Sequence, residues 1–571
     1  MSNVSIPEMA VAPVVSAPVG AADRRWFAAL MLALGALYGC LYNGYWMPGG
    51  SDDVYYLAVA RNMARGLGFQ WQGVPPLNIP PLWPAVLALA MKITPSMALV
   101  QALPLVLSWL AAGVWYWVLR RVVSAPRAFV AMLTAGLLYR WFSGAVHAYS
   151  EGLFSLLLGT SLLMAMQIRE GRRLAWRAPL MVAAACAMVL TRWSGVFAFP
   201  LLAGAVFCGK MRPALDRATI LGAILGIAMA VSYVLPRQWM RHDIAAVAAT
   251  QPLAAAAVKS EQDRLKRMFE GERQVYIMRG LNAGAWMTAM LWPPETAGMG
   301  PVVAHGANIF GWSLLVLLGW LTWQQARVRQ WLWLGAMIYV ATHILILNKP
   351  VGRYLAPLAP LLVLGIWQAL RLAGRWRYAE SASVAGVAIV VFFATTLAAN
   401  VPVWGISAYV SRSPRFTSLY LAGEYERYLS LWTYLRDRGL QDGQLAIGAG
   451  ARPRGQAPSG ARNVRFMQRM TDWFLDRRLS VPPPNLARKL PPRSEALLIW
   501  ARQQGVRYYL YRPWEQPARA WHLRRLQRSR WRPTTEPGTP AYFELYEVTP
   551  GGFQRIELPP ASAALDRVPG L

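Results

Sequence analysis

Apolar runs of about twenty residues alternate with short arginine-bearing loops along most of this chain. They fall at approximately 26–47, 98–119, 127–145, 151–168, 178–191, 195–208, 218–236, 304–323, 330–347, 354–371 and 382–404. A run of that length crosses roughly 30 Å of hydrocarbon as a helix. The pattern predicts a polytopic α-helical membrane protein with about eleven transmembrane helices. The short runs 178–191 and 195–208 predict either one broken helix or two compact ones. After residue 404 the period changes. "LSLWTYLRDRG" reads as a helix with a glycine stop, "QLAIGAG" as a strand, "SEALLIWARQQG" as a helix, and "VRYYLYR" and "AYFELYEV" as strands. "WEQPARAWHLRRLQRS" reads as one more helix, so the tail is expected to be a small α/β domain.

Two stretches between apolar runs are too long to be turns. Residues 48–96 make a first loop in which Tyr56, Ala60, Met63 and Leu67 recur at helical spacing, as in a helix lying on a membrane surface. "PPLNIPPLWP" then interrupts regular structure. Residues 237–303 make a second loop, with a charged helix in "VKSEQDRLKRMFEGERQVY" and a Pro/Gly turn in "MLWPPETAGMG". Such loops act either as lids or as solvated connectors.

Basic residues sit in alternate loops, near 120–127, 169–177, 210–217, 327–329 and 371–377, and are sparse in the others. The positive-inside rule then places residues 1–25 in the cytoplasm and residues 405–571 outside. Met1 to Ala22 has no basic start and no apolar stretch of its own, so the first helix is expected to be a retained anchor. Three domains follow: a cytoplasmic tail 1–25, a transmembrane domain 26–404 with long external loops 48–96 and 237–303, and an extracytoplasmic α/β domain 405–571.

Composition agrees with a membrane protein: 56% of residues are hydrophobic, 27 are Trp, and the mean hydropathy is +0.29. The net charge of +31 invites a nucleic-acid reading. Much of that charge follows helix ends, which excludes it. The basic tail either attracts anionic lipid headgroups or reflects an arginine-rich composition. Cys40, Cys186 and Cys208 lie in apolar runs, which argues for packing rather than disulfides or a zinc site.

Against this background, ionisable groups at the external ends of the membrane runs are candidates for function. They are Asp52 and Asp53; His147 and Glu151; Arg192; and Lys349, Arg353 and the neighbouring Tyr354. Each also has a plainer explanation. Ser51 can cap a helix whose first turn favours acids, and Glu151 is itself a first-turn acid. His147 can be an interfacial aromatic, and Arg192, Lys349 and Arg353 can be interfacial anchors. Taken together they suggest more. Two neighbouring carboxylates repel, which suits one of them to take a proton. Fixed cations, Arg above all, suit a phosphate.

The order of these motifs resembles a family. "DDVYYLAVARNMARGLGF", "IPPLWPAVLALA", "YSEGLFSLLL", "LTRWSGVFAFPLL" and "NKPVGRYLAPLAPLL" resemble, in sequence and order, the membrane glycosyltransferases of the GT-C superfamily. Bacterial relatives of lipid A aminoarabinose transferases and protein O-mannosyltransferases are nearest in style, over residues 26–400. The acidic pair is often Asp-Glu in those relatives and is Asp-Asp here. Many have Lys-Pro-Pro in the first loop, where this chain has Asn78 ahead of "IPP". The resemblance implies an inverting transfer of one sugar from a polyprenyl-phosphate donor to a hydroxyl of a glycolipid, glycan or protein, outside the bacterial cytoplasmic membrane. Asp52 would act as base, with Asp53 beside it. Lys349, Arg353, Tyr354 and Arg192 would meet the donor phosphate, and His147 and Glu151 the substrate. Some such enzymes use a divalent cation, and two adjacent Asp residues can hold one. The rival readings are a lipid or solute transporter and a ligase that moves a whole oligosaccharide.

Overall fold

The structure is a computed structural model. It describes residues 20–42, 52–94 apart from 72, 74 and 78, 97–170, 174–207, 215–248, 327–345, 355–373, 390–397, 425–449, 494–512 and 544–558, with a few single residues between. Ser51, Asn78, Lys349, Arg353, Tyr354 and the motif readings within 249–308 and 513–543 lie outside the described residues. The chain divides into two compact units. One comprises Met1–Tyr42, Val74–Trp83 and Ala102–Ile406; the other comprises Asn43–Gly73, Pro84–Gln101 and Ser407–Leu571.

The first unit is helical. Its described elements are α1 (Ala21–Gly39), most of α4 (Met97–Arg120), α5 (Ala125–Leu137), α6 (Tyr139–Val146), α7 (Glu151–Arg169), α8 (Leu174–Thr191), a 3₁₀ turn Trp193–Ala198, α9 (Phe199–Phe207), α10 (Leu215–Ala248), α11 (Arg327–Leu345), a second 3₁₀ turn Ala356–Leu358 and α12 (Ala359–Ala373). Among the described residues, three helices are long and apolar enough to cross a membrane: Ala98–Arg120, Glu151–Arg169 and Thr219–Asp243. The pair α5 and α6, bent by 66°, makes a fourth when counted as one span. The protein is therefore a multi-spanning membrane protein.

Without a hydrophobic drive between helices in lipid, close backbone approach and polar links hold such a bundle together. Both occur here. A Cβ on Gly335 of α11 would lie 2.5 Å from the Leu201 Cα of α9. Trp109 Nε1 donates to the Met31 carbonyl (2.8 Å), Trp115 Nε1 to Ser155 (3.1 Å), and the Tyr38 hydroxyl to Gly136 (3.0 Å), joining α4 to α1, α4 to α7 and α1 to α5. At one end of the bundle Arg120 Nε pairs with Asp23 at 2.5 Å, and Arg121 pairs with Glu170. Two of the arginines that hydropathy placed beyond helix ends are thus tied to carboxylates on neighbouring elements.

Several boundaries depart from the hydropathy pattern. The run 127–145 is two helices, because Leu138 takes an extended conformation (φ −61°, ψ 132°) and lets Trp141 and Phe142 of α6 turn inward and bury. The run 178–191 with 195–208 is α8 and α9, broken at the 3₁₀ turn. The helix expected over 218–236 continues to Ala248, since polar residues end a hydrophobic run without ending a helix. In the first loop, α2 (Asp52–Ala64) is buried at every position from Asp53 to Ala60. It therefore lacks the single apolar face of a surface-lying helix. A further helix, α3 (Leu82–Ile93), follows the proline-rich stretch.

The second unit contains α2 and a four-stranded sheet. Its described elements after residue 407 are α13 (Tyr425–Asp437), β1 (Leu445–Ala449), α14 (Glu495–Gln503), β2 (Tyr508–Arg512), β3 (Glu544–Thr549) and β4 (Gly552–Ile556). The strand order is β1-β2-β3-β4, with β1 and β2 parallel and the rest antiparallel. Alternate residues face opposite sides. Tyr509, Tyr511 and Tyr546 pack with Leu497 and Ala501 of α14 on one side. On the other, Tyr508 meets Tyr434 of α13 edge-on, with centroids 6.4 Å apart. Gly439, at φ 63°, ends α13 as the glycine stop predicts, and the Ser494 hydroxyl caps α14 by accepting from the Leu497 amide at 3.3 Å. Strand β4 was not foreseen. It follows the Thr549–Gly552 turn, where Gly552 has φ 137°.

Candidate functional site

The start of α7 is built by close packing. A Cβ on Gly152 would stand 2.6 Å from Ser108 Oγ and 3.2 Å from the Pro104 carbonyl, so only glycine lets α7 meet α4 there. A Cβ on Gly144 of α6 would lie 3.1 Å from Glu151 Cβ. Glu151 opens α7, where a carboxylate faces the positive end of the helix dipole. Ser150 precedes it without making a side-chain cap.

Arg192 sits in extended conformation between α8 and the first 3₁₀ turn. That turn is tight: the Gly195 amide donates to the Arg192 carbonyl at 2.7 Å, and a Cβ on Gly195 would come within 2.9 Å of the Met188 carbonyl oxygen. The geometry brings Arg192 and Glu151 together. Nη1 lies 2.6 Å from Oε1, with side chains only 9% and 7% exposed. The guanidinium also stands 6.0 Å from the Phe154 ring centroid. Tyr339 of α11 is within electrostatic reach of both charges.

Leu77 and Trp83 of the first long loop reach the same place. Trp83 Nε1 donates to the Ala148 carbonyl at 2.8 Å, and Trp193 Nε1 donates to the Leu77 carbonyl at 3.1 Å. His147 lies beside Tyr149, with ring centroids 5.3 Å apart. The second 3₁₀ turn, Ala356–Leu358, packs on both α6 and α7, the helices flanking residues 147–150. The chain thus enters this region directly after "NKPVGRY".

Asp52 and Asp53 begin α2 in the other unit. Asp53 is fully buried, its Oδ1 accepting from the Val54 amide at 2.9 Å, and Asp52 is half-buried. Among the described residues, no group of three or more His, Cys, Asp or Glu side chains is placed to hold a metal ion.

Sequence reading missed Arg237. It is only 8% exposed, and its guanidinium lies 5.5 Å over the Trp193 ring and 5.1 Å over the Tyr233 ring. Nη1 donates to the Tyr233 hydroxyl at 3.2 Å. The signal available was Tyr233 four residues ahead of Arg237 on a helix. The apparent end of the hydrophobic run at 236 hid it.

No protein-family profile matches the chain, and no curated protein matches it. Among solved structures, the Archaeoglobus fulgidus oligosaccharyltransferase in complex with zinc and sulfate is similar over 85% of this chain and 68% of its own, at 12% identity and a TM-score of 0.46. ArnT from Cupriavidus metallidurans bound to undecaprenyl phosphate is similar over 88% of this chain and 95% of its own, at 12% identity and a TM-score of 0.47. At that level of likeness, the site has to be read from the chain's own residues.

Proposed function

We propose that the protein is an inverting membrane glycosyltransferase. In this reading it moves one sugar from a polyprenyl-phosphate donor to an acceptor hydroxyl at the extracytoplasmic face of the bacterial cytoplasmic membrane, with about eleven helices in the membrane and residues 405–571 outside. One observation carries the reading. The 147–151 junction, the Arg192 turn, the first-loop segment 74–83 and the turn that follows "NKPVGRY" all gather at one end of the helical unit. Two of these segments carry residues that the sequence singles out, His147 and Glu151 in one and Arg192 in another, and Lys349, Arg353 and Tyr354 directly precede the last.

In the mechanism, Asp52 takes the proton of the acceptor hydroxyl as its oxygen attacks the anomeric carbon. The bond from that carbon to the phosphate oxygen breaks on the opposite face, which inverts the configuration. Lys349 and Arg353 meet the negative charge that develops on the leaving phosphate, and Tyr354 adds a hydrogen bond. The Arg fork matches phosphate oxygens two at a time. Asp53, buried in the first turn of α2, orients Asp52. The test is transfer from a short-chain polyprenyl-phosphate sugar by purified wild type and Asp52→Asn. A fall of roughly 10²–10⁴-fold with folded protein retained is expected. Near-normal turnover by the variant removes Asp52 as the base.

A further inference from the structure

Six links around the start of α7 close on themselves. Leu77 to Trp83 is one piece of chain; the Trp83 indole bonds Ala148; Ala148 leads to Glu151; Glu151 pairs with Arg192; Arg192 precedes Trp193; and the Trp193 indole bonds Leu77. The ring needs only two hydrogen bonds and one ion pair to join three parts of the chain that are distant in sequence. Pro80 and Pro81 stiffen the loop side of it. Trp83 is fully buried, the ion pair nearly so, and little water is present to compete for any link.

We propose that Glu151 and Arg192 are positioning residues, which act through Ala148 and Trp193 to hold the first-loop segment 77–83 against the membrane helices. This takes the place of the substrate contact expected of Glu151 and the donor-phosphate contact expected of Arg192. A guanidinium 2.6 Å from a buried carboxylate already has its charge matched, and a phosphate could take it only by opening the pair. The inference rests on the glycosyltransferase reading for its catalytic consequence, because the loop that it holds also carries Asp52. The ring itself does not depend on that reading.

The deciding variants are Glu151→Gln, the exchanged pair Glu151→Arg with Arg192→Glu, and Trp193→Phe. Trp193→Phe removes one N–H and keeps both charges. Amide exchange of peptides covering residues 74–83 reports on the ring without any turnover. Glu151→Gln and Trp193→Phe should speed that exchange roughly tenfold or more. They should also lower kcat by roughly ten- to a hundredfold, with the donor KM within about twofold of wild type. The exchanged pair should restore both readouts towards wild type, because a swapped pair still links Ala148 to Trp193. A swapped protein that folds and protects 74–83 but transfers no sugar would mean that the side chains touch substrate, and would overturn the proposal. Unchanged exchange and kcat in Trp193→Phe would overturn it as well, and that variant decides alone if the swapped protein does not fold. Wild type that transfers no sugar at all would refute the glycosyltransferase reading, and the exchange data would still test the ring.

Discussion

The helical unit and the sheet treat their buried polar atoms differently. In the helices, buried and half-buried donors reach across to a neighbour: Tyr38 to Gly136, Trp109 to Met31, Trp115 to Ser155, Tyr116 to the Asp23 carbonyl, and Arg192 to Glu151. There are exceptions: the Trp333 indole, the Thr396 hydroxyl and the Gln368 side-chain carbonyl oxygen are buried with no hydrogen-bond partner among the described residues. In the sheet, the hydroxyls of Tyr508 and Tyr509 are both buried without a hydrogen-bond partner among the described residues, although their strand is an inner one. The difference follows from what drives each assembly. A sheet packed between helices gains stability from area removed from water and can absorb an idle hydroxyl. Helices that meet in hydrocarbon gain little from area, so each polar link carries a larger share of the specificity.

The largest effect that can break this contrast is Glu151→Ala. Leaving a buried guanidinium without its carboxylate should cost about 3–5 kcal/mol, read as a drop in the melting temperature of detergent-solubilised protein. If the loss proves no larger than that of a surface pair, polar links are not what specifies the bundle.

A smaller effect is expected at the Asp23–Arg120 pair, which lies ahead of the apolar run 26–47. The Arg120 guanidinium, bonded to the Asp23 carboxylate, holds it below the usual carboxylate range. A depressed folded value contributes stability that is present above the ordinary Asp value and is lost as pH falls through the folded one. Asp23→Asn should therefore remove about 1 kcal/mol at neutral pH. It should also flatten the acid limb of the stability curve, measured by melting between neutral and strongly acidic pH.

Tyr38→Phe should lose about 1 kcal/mol, because it leaves the Gly136 carbonyl without its donor. Tyr509→Phe should be the smallest change, neutral or slightly stabilising, because no acceptor for its proton stands among the described residues. Burial pushes the phenols of Tyr509 and Tyr546 up. A raised folded value contributes stability that is present below the ordinary tyrosine value and is lost as pH rises past it. The sheet should accordingly melt earlier in alkali than at neutral pH, and Tyr509→Phe should narrow that difference. A large loss in Tyr509→Phe at neutral pH would show that the hydroxyl has a partner after all.

How much of this was legible in the sequence depended on the kind of signal. Alternating periods gave β1, β2 and β3, and Gly439 marked a helix end correctly, because strands and helix stops are written in local chemistry. The apolar runs located α4, α7 and α11 for the same reason. They failed at Leu138 and Arg237. Hydropathy measures how well a residue tolerates lipid and says nothing of where a helix bends or continues. The pairing of Glu151 with Arg192 joins residues 41 positions apart, and the acid and the base each had a sufficient local explanation. That is why each was a candidate from sequence and the pair was not.

Helix α10 has one further consequence, in its sheer length. Its 34 residues span about 51 Å at 1.5 Å per residue, against roughly 30 Å of hydrocarbon. Tilt alone would have to exceed the range of about 0–40° that membrane helices adopt, so some of its turns must stand clear of the lipid. Pro236 marks the place where such a helix can bend. Arg237, the next residue, rests on Trp193, so the helix is tied to the first 3₁₀ turn just where its apolar run stops.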